Sequence, residues 1–367
     1  MRLPESEELN IGYLSRLFDN TSNCYKFFWF QAILRRLEAG KTRITFDELI
    51  NEMIADAWYM VTEYNLRLAS VTDNLEEVVK YIQTIHPFIS SEKREVILAY
   101  LEGCENPQVL KYKRALISFV PYRLLAPFLG FKAWEWELPR KELYERINEH
   151  EHLLYYFLSY SGLETTIEVD SIWAEYLVQH REILRGWMQF KLIQYLQIKN
   201  PSVPGIAEKI EPPTSRNLTR VRKYWEVILT VDPTICDIYG HVTLADQKIS
   251  VDHFVPWQYV AHDELWNLHP TTREINSSKN NFLPDWNRYF TELANLEYHA
   301  YELRRDVPQV AKAFKSCADH HLNNQDIRTQ LYQDGLERAE FVQRLENVME
   351  PVYQSAKNSG FREWEYG

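Results

Sequence analysis

In the stretch VDHFVPW, residues 251–257, an acid and an imidazole stand side by side, Asp252 next to His253, and a proline follows at 256. Further on come Asn267 in LWNLHP, Asn276 in EINSSKNN, and Lys279 one helical turn after it. Asp252 and Asn276 offer hard oxygen donors, which suit a Mg²⁺ that keeps water and phosphate in its other positions. Such an ion stabilises charge developing on a phosphate and its leaving oxygen. His253, with an ordinary pKa near ~6.5, is suited to take a proton from water at neutral pH. Asn267 has no useful acid–base chemistry, so its expected task is to bond backbone and fix the loop that orients the histidine. Lys279 is expected to meet a phosphate as a point charge. Together these are parts for metal-dependent hydrolysis of a phosphodiester.

The elements around them must bring them together. Neighbouring strand residues point to opposite faces, so Asp252 and His253 converge on one centre only if the strand ends or bends between them. Pro256 is consistent with such an ending. Residues 235–257, ICDIYGHVTLADQKISVDHFVPW, alternate and turn like a hairpin or a pair of short strands. Thr271 to Glu274 reads as a capping box, opening a helix that carries Asn276 and Lys279 on one face.

The run VDHFVPWQYVAHDELWNLHPTTREINSSKNNFLP resembles the HNH endonuclease motif and its ββα-metal fold, with D-H-x-x-P, then N-L, then N-x-x-K closing on L-P. The resemblance extends over residues 214–290. It implies that Asp252 is a metal ligand, His253 the general base, Asn267 the loop-fixing residue and Asn276 the last motif position. That last position is His in the founding pattern. Asn there favours an oxygen ligand, hence Mg²⁺ or Mn²⁺ over a softer ion. Many members also carry a Cys-x-x-Cys-Gly pair that binds structural zinc. Here the equivalent CDIYGH has Tyr239 where the second Cys would stand, and REIN lacks the later pair, so zinc is not expected and packing must hold the segment. DNA is the implied substrate. The alternatives are an RNA-cleaving, toxin-like nuclease and a catalytically degenerate HNH-fold binding or regulatory subunit.

Around this module the pattern is helical. From residue 9 to about 200 apolar positions recur at three and four. YKFFWF, residues 25–30, is too dense in aromatics for one face and reads as a buried helix. ALISFVPYRLLAPFLGFKAWEWELPR carries prolines among apolar residues and reads as a buried irregular turn with a short strand pair. DSIWAEYLVQHREILRGWMQFKLIQYLQIKN reads as one long helix with Trp173, Leu177, Ile183, Leu184 and Trp187 on one side. Four prolines in residues 200–217 mark a linker. A basic amphipathic helix follows, whose Arg216, Arg220, Arg222 and Lys223, with Arg273 beyond, are candidate phosphate contacts or a solvated face. The final helix carries a stripe of Phe341, Leu345, Val348 and Val352, bent at Pro351. The expected architecture is mainly α with a small α+β module: a helical N-terminal domain (1–213), a ββα-metal nuclease domain (214–300) and a C-terminal helical segment packing on the scaffold (301–367). The N-terminal part is similar to the N-terminal regions of bacterial HNH proteins, some of them phage-defence effectors. Targeting, regulation or oligomerisation is its expected role.

A net charge of −11 disfavours indiscriminate binding of nucleic acid and implies that any such affinity is confined to a patch, depends on salt or needs a partner. The chain has no signal-like start and no membrane-length apolar run, so the expected compartment is the cytoplasm, away from membranes. Four cysteines without a Cys-x-x-Cys pair argue against a disulfide framework. Among residues near the motif, His241, His262 and His269 read as surface histidines, and Trp257 and Trp266 as core packing rather than base-stacking platforms. His320 and His321 face different ways on a helix and read as having no role.

Overall fold

The computed structural model describes residues 2–71, 73–212, 217–245 and 247–367. Helices account for 59% of the chain and the strands are short, which makes the protein mainly α with a small α+β module, as expected. It divides into two compact units, Met1–Pro201 with Lys209–Pro212, and Ser202–Glu208 with Pro213–Gly367.

The first unit is built around the helices Tyr25–Glu38 and Phe46–Thr62. Phe27, Phe28, Trp29 and Phe30 are all buried, so the aromatic run is core. Thr45 starts the second helix with a capping box: its side chain accepts from the Glu48 N–H, and the Glu48 carboxylate accepts from the Thr45 N–H. Three strands, β1 (Arg43–Thr45), β2 (Tyr155–Phe157) and β3 (Thr166–Val169), form an antiparallel sheet in the order β1-β3-β2. Sequence periodicity misses them because three or four residues are too few for alternation to stand out. The proline-rich stretch expected to hold a strand pair instead folds into short helical turns at Val120–Arg123, Ala126–Phe128 and Ala133–Glu137. The single helix expected over residues 170–200 is two, Ser171–Gln179 and Arg181–Lys199, broken at His180 (φ −106°, ψ 18°). The break changes the helical phase. Trp173, Leu177, Leu184 and Trp187 remain buried, while Ile183 turns outward and is 48% exposed.

The second unit has one hydrophobic core that runs from the helix Thr219–Val231 to the C-terminal helices. Val221, Tyr224, Trp225 and Ile228 supply the apolar face of that helix, and Trp225 donates its indole N–H to the Leu268 carbonyl at 3.1 Å. The helices Trp286–Asp306, Pro308–His321, Gln325–Tyr332 and Arg338–Asn358 enclose the rest. In the last of these Phe341, Leu345, Met349 and Tyr353 are buried, Val348 and Val352 pack at the margin, and Pro351 lies inside the helix. Two strands, β4 (Ser250–His253) and β5 (Leu268–Thr271), pair antiparallel beside the short helix Arg273–Lys279. Two more, β6 (Leu283–Pro284) and β7 (Glu363–Trp364), pair in parallel and tie the C-terminal residues to the same unit. The hairpin expected within residues 235–257 is present only as a short antiparallel turn-back over 235–244 and does not include β4. The segment before β4 contributes an isolated bridge, Cys236 to Thr243, and the true partner of β4 lies after a long loop. Among the described residues no helix is long and apolar enough to cross a membrane.

Candidate active site

The pairing of β4 with β5 sets Asp252 opposite His269 and His253 opposite Leu268. It stays regular through His253, so the side chains of Asp252 and His253 leave opposite faces of the pair. The bend expected between them does not occur. The chain turns one step later, where the Phe254 N–H still bonds the Asn267 carbonyl at 2.9 Å. Asn267 is fully buried and grips Val255 from both sides, its Oδ1 accepting from the Val255 N–H and its Nδ2 donating to the Val255 carbonyl, each at 2.8 Å. A side-chain amide suits this task because it carries an acceptor and a donor side by side.

On the Asp252 face, the helix Arg273–Lys279 is capped by Thr272, one residue later than the sequence reading placed it. Its side chain accepts from the Ile275 N–H at 3.2 Å. Asn276 and Lys279, one turn apart, lie over β4. Asn276 Nδ2 donates to Ser250 Oγ at 2.6 Å. Lys279 Nζ sits 3.1 Å from Asp252 Oδ2 and 3.3 Å from Oδ1, and donates to the His253 carbonyl at 2.7 Å. Tyr239 donates its hydroxyl to Asp252 Oδ2 at 3.1 Å, and His269 Nε2 lies 3.7 Å from the same oxygen.

This pocket is buried, which sets its electrostatics. Burial pushes the Lys279 ammonium down from its ordinary pKa while Asp252 pulls it back up. Burial also drops His269 to about 3, so it stays a neutral imidazole. Burial first, then the Asp252 charge, raises the Tyr239 hydroxyl well above its usual range. Two expectations are corrected here. Lys279 has no exposed surface, so it faces Asp252 rather than an arriving phosphate. His269 is fully buried, not at the surface, and neither of its ring nitrogens has a hydrogen-bond partner among the described residues.

On the other face, His253 Nε2 lies 2.9 Å from Asp263 Oδ1. The loop that carries Asp263 is held in turn. His321 Nδ1 lies 2.7 Å from the Asp263 carbonyl, and the Glu264 carboxylate accepts from Asn323 through its N–H at 3.1 Å and its Nδ2 at 2.8 Å. His321, expected to have no role, therefore buttresses this loop, and Asp263 was missed altogether. An acid within hydrogen-bonding reach of a histidine is a recognisable pairing, but nothing in HDELWN singles out Asp263 over Glu264.

The loop CDIYGH, residues 236–241, is organised by Asp237. Fully buried, it accepts from the N–H groups of Tyr239 at 2.7 Å, Gly240 at 2.8 Å and Val242 at 3.2 Å. The Tyr239 ring then packs edge-on against Tyr289 and Trp364, both at 5.1 Å. A side chain at Gly240 would come within 2.7 Å of the Tyr366 ring, so the close approach requires glycine.

Of the remaining candidates, Arg220, Lys223 and Arg273 are exposed, Arg222 is half-buried, and Arg216 lies outside the described residues. His241 and His262 are exposed, Trp257 is half-buried and Trp266 buried. Among the described residues no group of three or more His, Cys, Asp or Glu side chains could hold a metal. What remains for an ion is one carboxylate and one amide. Asn276 is anchored through its nitrogen, which makes the oxygen its free-facing acceptor end, and Asp252 Oδ1 carries the Lys279 contact alone among the described residues. This hard, sparse donor set fits an ion such as Mg²⁺ that keeps several waters, and not a caged structural metal.

Residues 238–285 match the family model for HNH endonucleases, so this segment is similar to that family. No curated protein and no solved structure matches the chain.

Proposed function

We propose that the protein is a metal-dependent endonuclease that hydrolyses phosphodiester bonds of DNA in the cytoplasm, with His253 as general base and Asp252 and Asn276 as ligands of a Mg²⁺ or Mn²⁺ ion. The observation that carries this reading is the meeting of the Asn276–Lys279 face of the short helix with the Ser250–Asp252 face of β4. When bound, the ion supplies Lewis-acid stabilisation of phosphate charge. The protein's own groups do the rest. His253 takes a proton from water, the water oxygen bonds phosphorus, the ester P–O bond breaks, and the leaving oxygen is protonated from solvent. Asn267 holds the turn at Val255, and with it the end of β4 that carries the base.

DNA is preferred over RNA because the family mostly cuts DNA. The acidic balance confines nucleic-acid contact to a patch, for which Arg220, Arg222, Lys223 and Arg273 are the candidates. The N-terminal helical region would supply targeting, control or self-association, as in a restriction or anti-phage effector. The test is Mg²⁺-dependent cleavage of plasmid DNA by the purified protein against His253→Ala, with total RNA as a parallel substrate. Equal cleavage by both proteins removes His253 from the mechanism. A second reading, a non-hydrolytic HNH-fold binding subunit, is favoured by two observations: Lys279 already neutralises Asp252, and β4 stays regular through His253, so that Asp252 and His253 leave its opposite faces. Calorimetry showing Mn²⁺ binding that Asp252→Ala abolishes would remove it.

A further inference from the structure

We propose that Asp263 is the positioning residue of the general base: its carboxylate accepts the Nε2 proton of His253, fixes the ring, and makes Nδ1 the nitrogen that receives the proton from water. This rests on reading His253 as the base. Two observations carry it, the contact itself and the support of the loop that makes it. The contact is direct, 2.9 Å between His253 Nε2 and Asp263 Oδ1, with the two side chains 7% and 21% exposed, a setting in which a charge-assisted hydrogen bond is strong. A carboxylate bonded to one ring nitrogen sets the tautomer and therefore the role of the other.

The carboxylate is also supported. Ala261 takes a left-handed conformation (φ 53°) that turns the chain into the Asp263 loop. That loop is strapped at two consecutive residues to the end of the helix Pro308–His321: the Asp263 carbonyl to His321, and the Glu264 side chain to Asn323. Glu264 and Asn267 both belong to the same short segment, so the loop that presents Asp263 is fixed at its far end as well by the Val255 grip. A surface ion pair needs no such supports. A group that must hold an imidazole to within a fraction of an ångström does.

The full-length Asp263→Asn protein tests this. Asparagine keeps the shape but donates its own N–H to Nε2, which forces the opposite tautomer. The expected result is a fall in kcat on plasmid DNA of about 10²- to 10⁴-fold, with KM and Mn²⁺ affinity by calorimetry unchanged. In ¹⁵N NMR the His253 imidazole should move from the Nε2–H to the Nδ1–H form, and Asp263→Glu should recover part of the lost rate. Unchanged kcat with the Nε2–H form retained in Asp263→Asn overturns the proposal, while inactivity of His253→Ala would still stand for the base. A fall in Mn²⁺ affinity equal to the fall in rate also overturns it, since it would mark a merely structural role. If the wild-type protein cleaves no DNA, the base reading fails. The NMR tautomer of His253 with and without Asp263 then decides alone whether Asp263 orients the ring.

Discussion

The two faces of β4 hold neighbouring residues in opposite ways. On one face Asp252 is closed into a buried pocket where the Lys279 ammonium and the Tyr239 hydroxyl meet its charge directly and the neutral ring of His269 packs beside it. On the other, His253 meets the carboxylate of Asp263, and the loop carrying that partner is held from a distance by residues at the end of a helix far along the chain. The first arrangement spends its contacts on the cost of burying a charge. The second spends them on aim. Removing a group on the Asp252 side should therefore show up chiefly as lost stability, and removing one on the His253 side chiefly as lost rate.

The largest test of this contrast is Lys279→Met in metal-free protein. With its ammonium gone, Asp252 is left as an uncompensated buried charge, and denaturant unfolding should show a loss of about 3–5 kcal/mol. Saturating Mn²⁺ should recover part of that loss, because an ion that binds the folded site stabilises it by mass action. No change in stability would mean that the pair does not brace the pocket.

Asp237→Ala comes next. It leaves three loop N–H groups without their acceptor, and an expected cost of about 1–3 kcal/mol should appear in the same titration. A chelator should leave the melting temperature of the wild-type protein unchanged if Asp237, rather than zinc, organises the loop.

His269 sharpens the comparison through pH. Its folded pKa is lowered to about 3, below the ordinary ~6.5, so the unfolded chain binds more protons between those values. The stability this neutral ring permits is present above ~6.5 and is lost as pH falls toward about 3, with a slope approaching ~1.4 kcal/mol per pH unit from this group. Unfolding free energies measured across that window should fall less steeply with acid in His269→Phe than in the wild type. Equal slopes would place the acid sensitivity elsewhere. The smallest expected effect is on the other face: Asp263→Asn should change stability by about 1 kcal/mol or less, since the amide keeps a hydrogen bond to the ring in place of the carboxylate's, even as cleavage collapses. A large loss of stability there would erase the distinction between the two faces.

Much of the module was legible in the sequence. Asp252, His253, Asn267 and Asn276 could be picked out and ordered, and the short helix with Asn276 and Lys279 on one side forms where its capping threonine and spacing indicated, within a residue. The buried aromatic run and the amphipathic helix from Thr219 were equally readable, because a period of three to four over a dozen residues leaves a strong pattern. The misreadings share a cause. The three short strands of the first unit, the break at His180 and the true partner of β4 each depend on a few residues or on a pairing across a long loop, where local pattern carries little information.

The sequence by itself determined which chemical groups the module carries and their order, since strand alternation and the helical repeat fix what neighbours can share a face. That is enough to set an acid, an imidazole and an amide in sequence. Only the tertiary structure decided what each of them touches. Lys279 was expected at a phosphate and lies on Asp252. His269 was expected at the surface and lies buried beside the same carboxylate. Tyr239, 13 residues before Asp252, and His321, 58 residues after Asp263, reach their places through packing of the shared core. The physical reason is that burial and hydrogen-bond partners are properties of neighbours in space, and no periodicity along the chain encodes which distant side chain will arrive there.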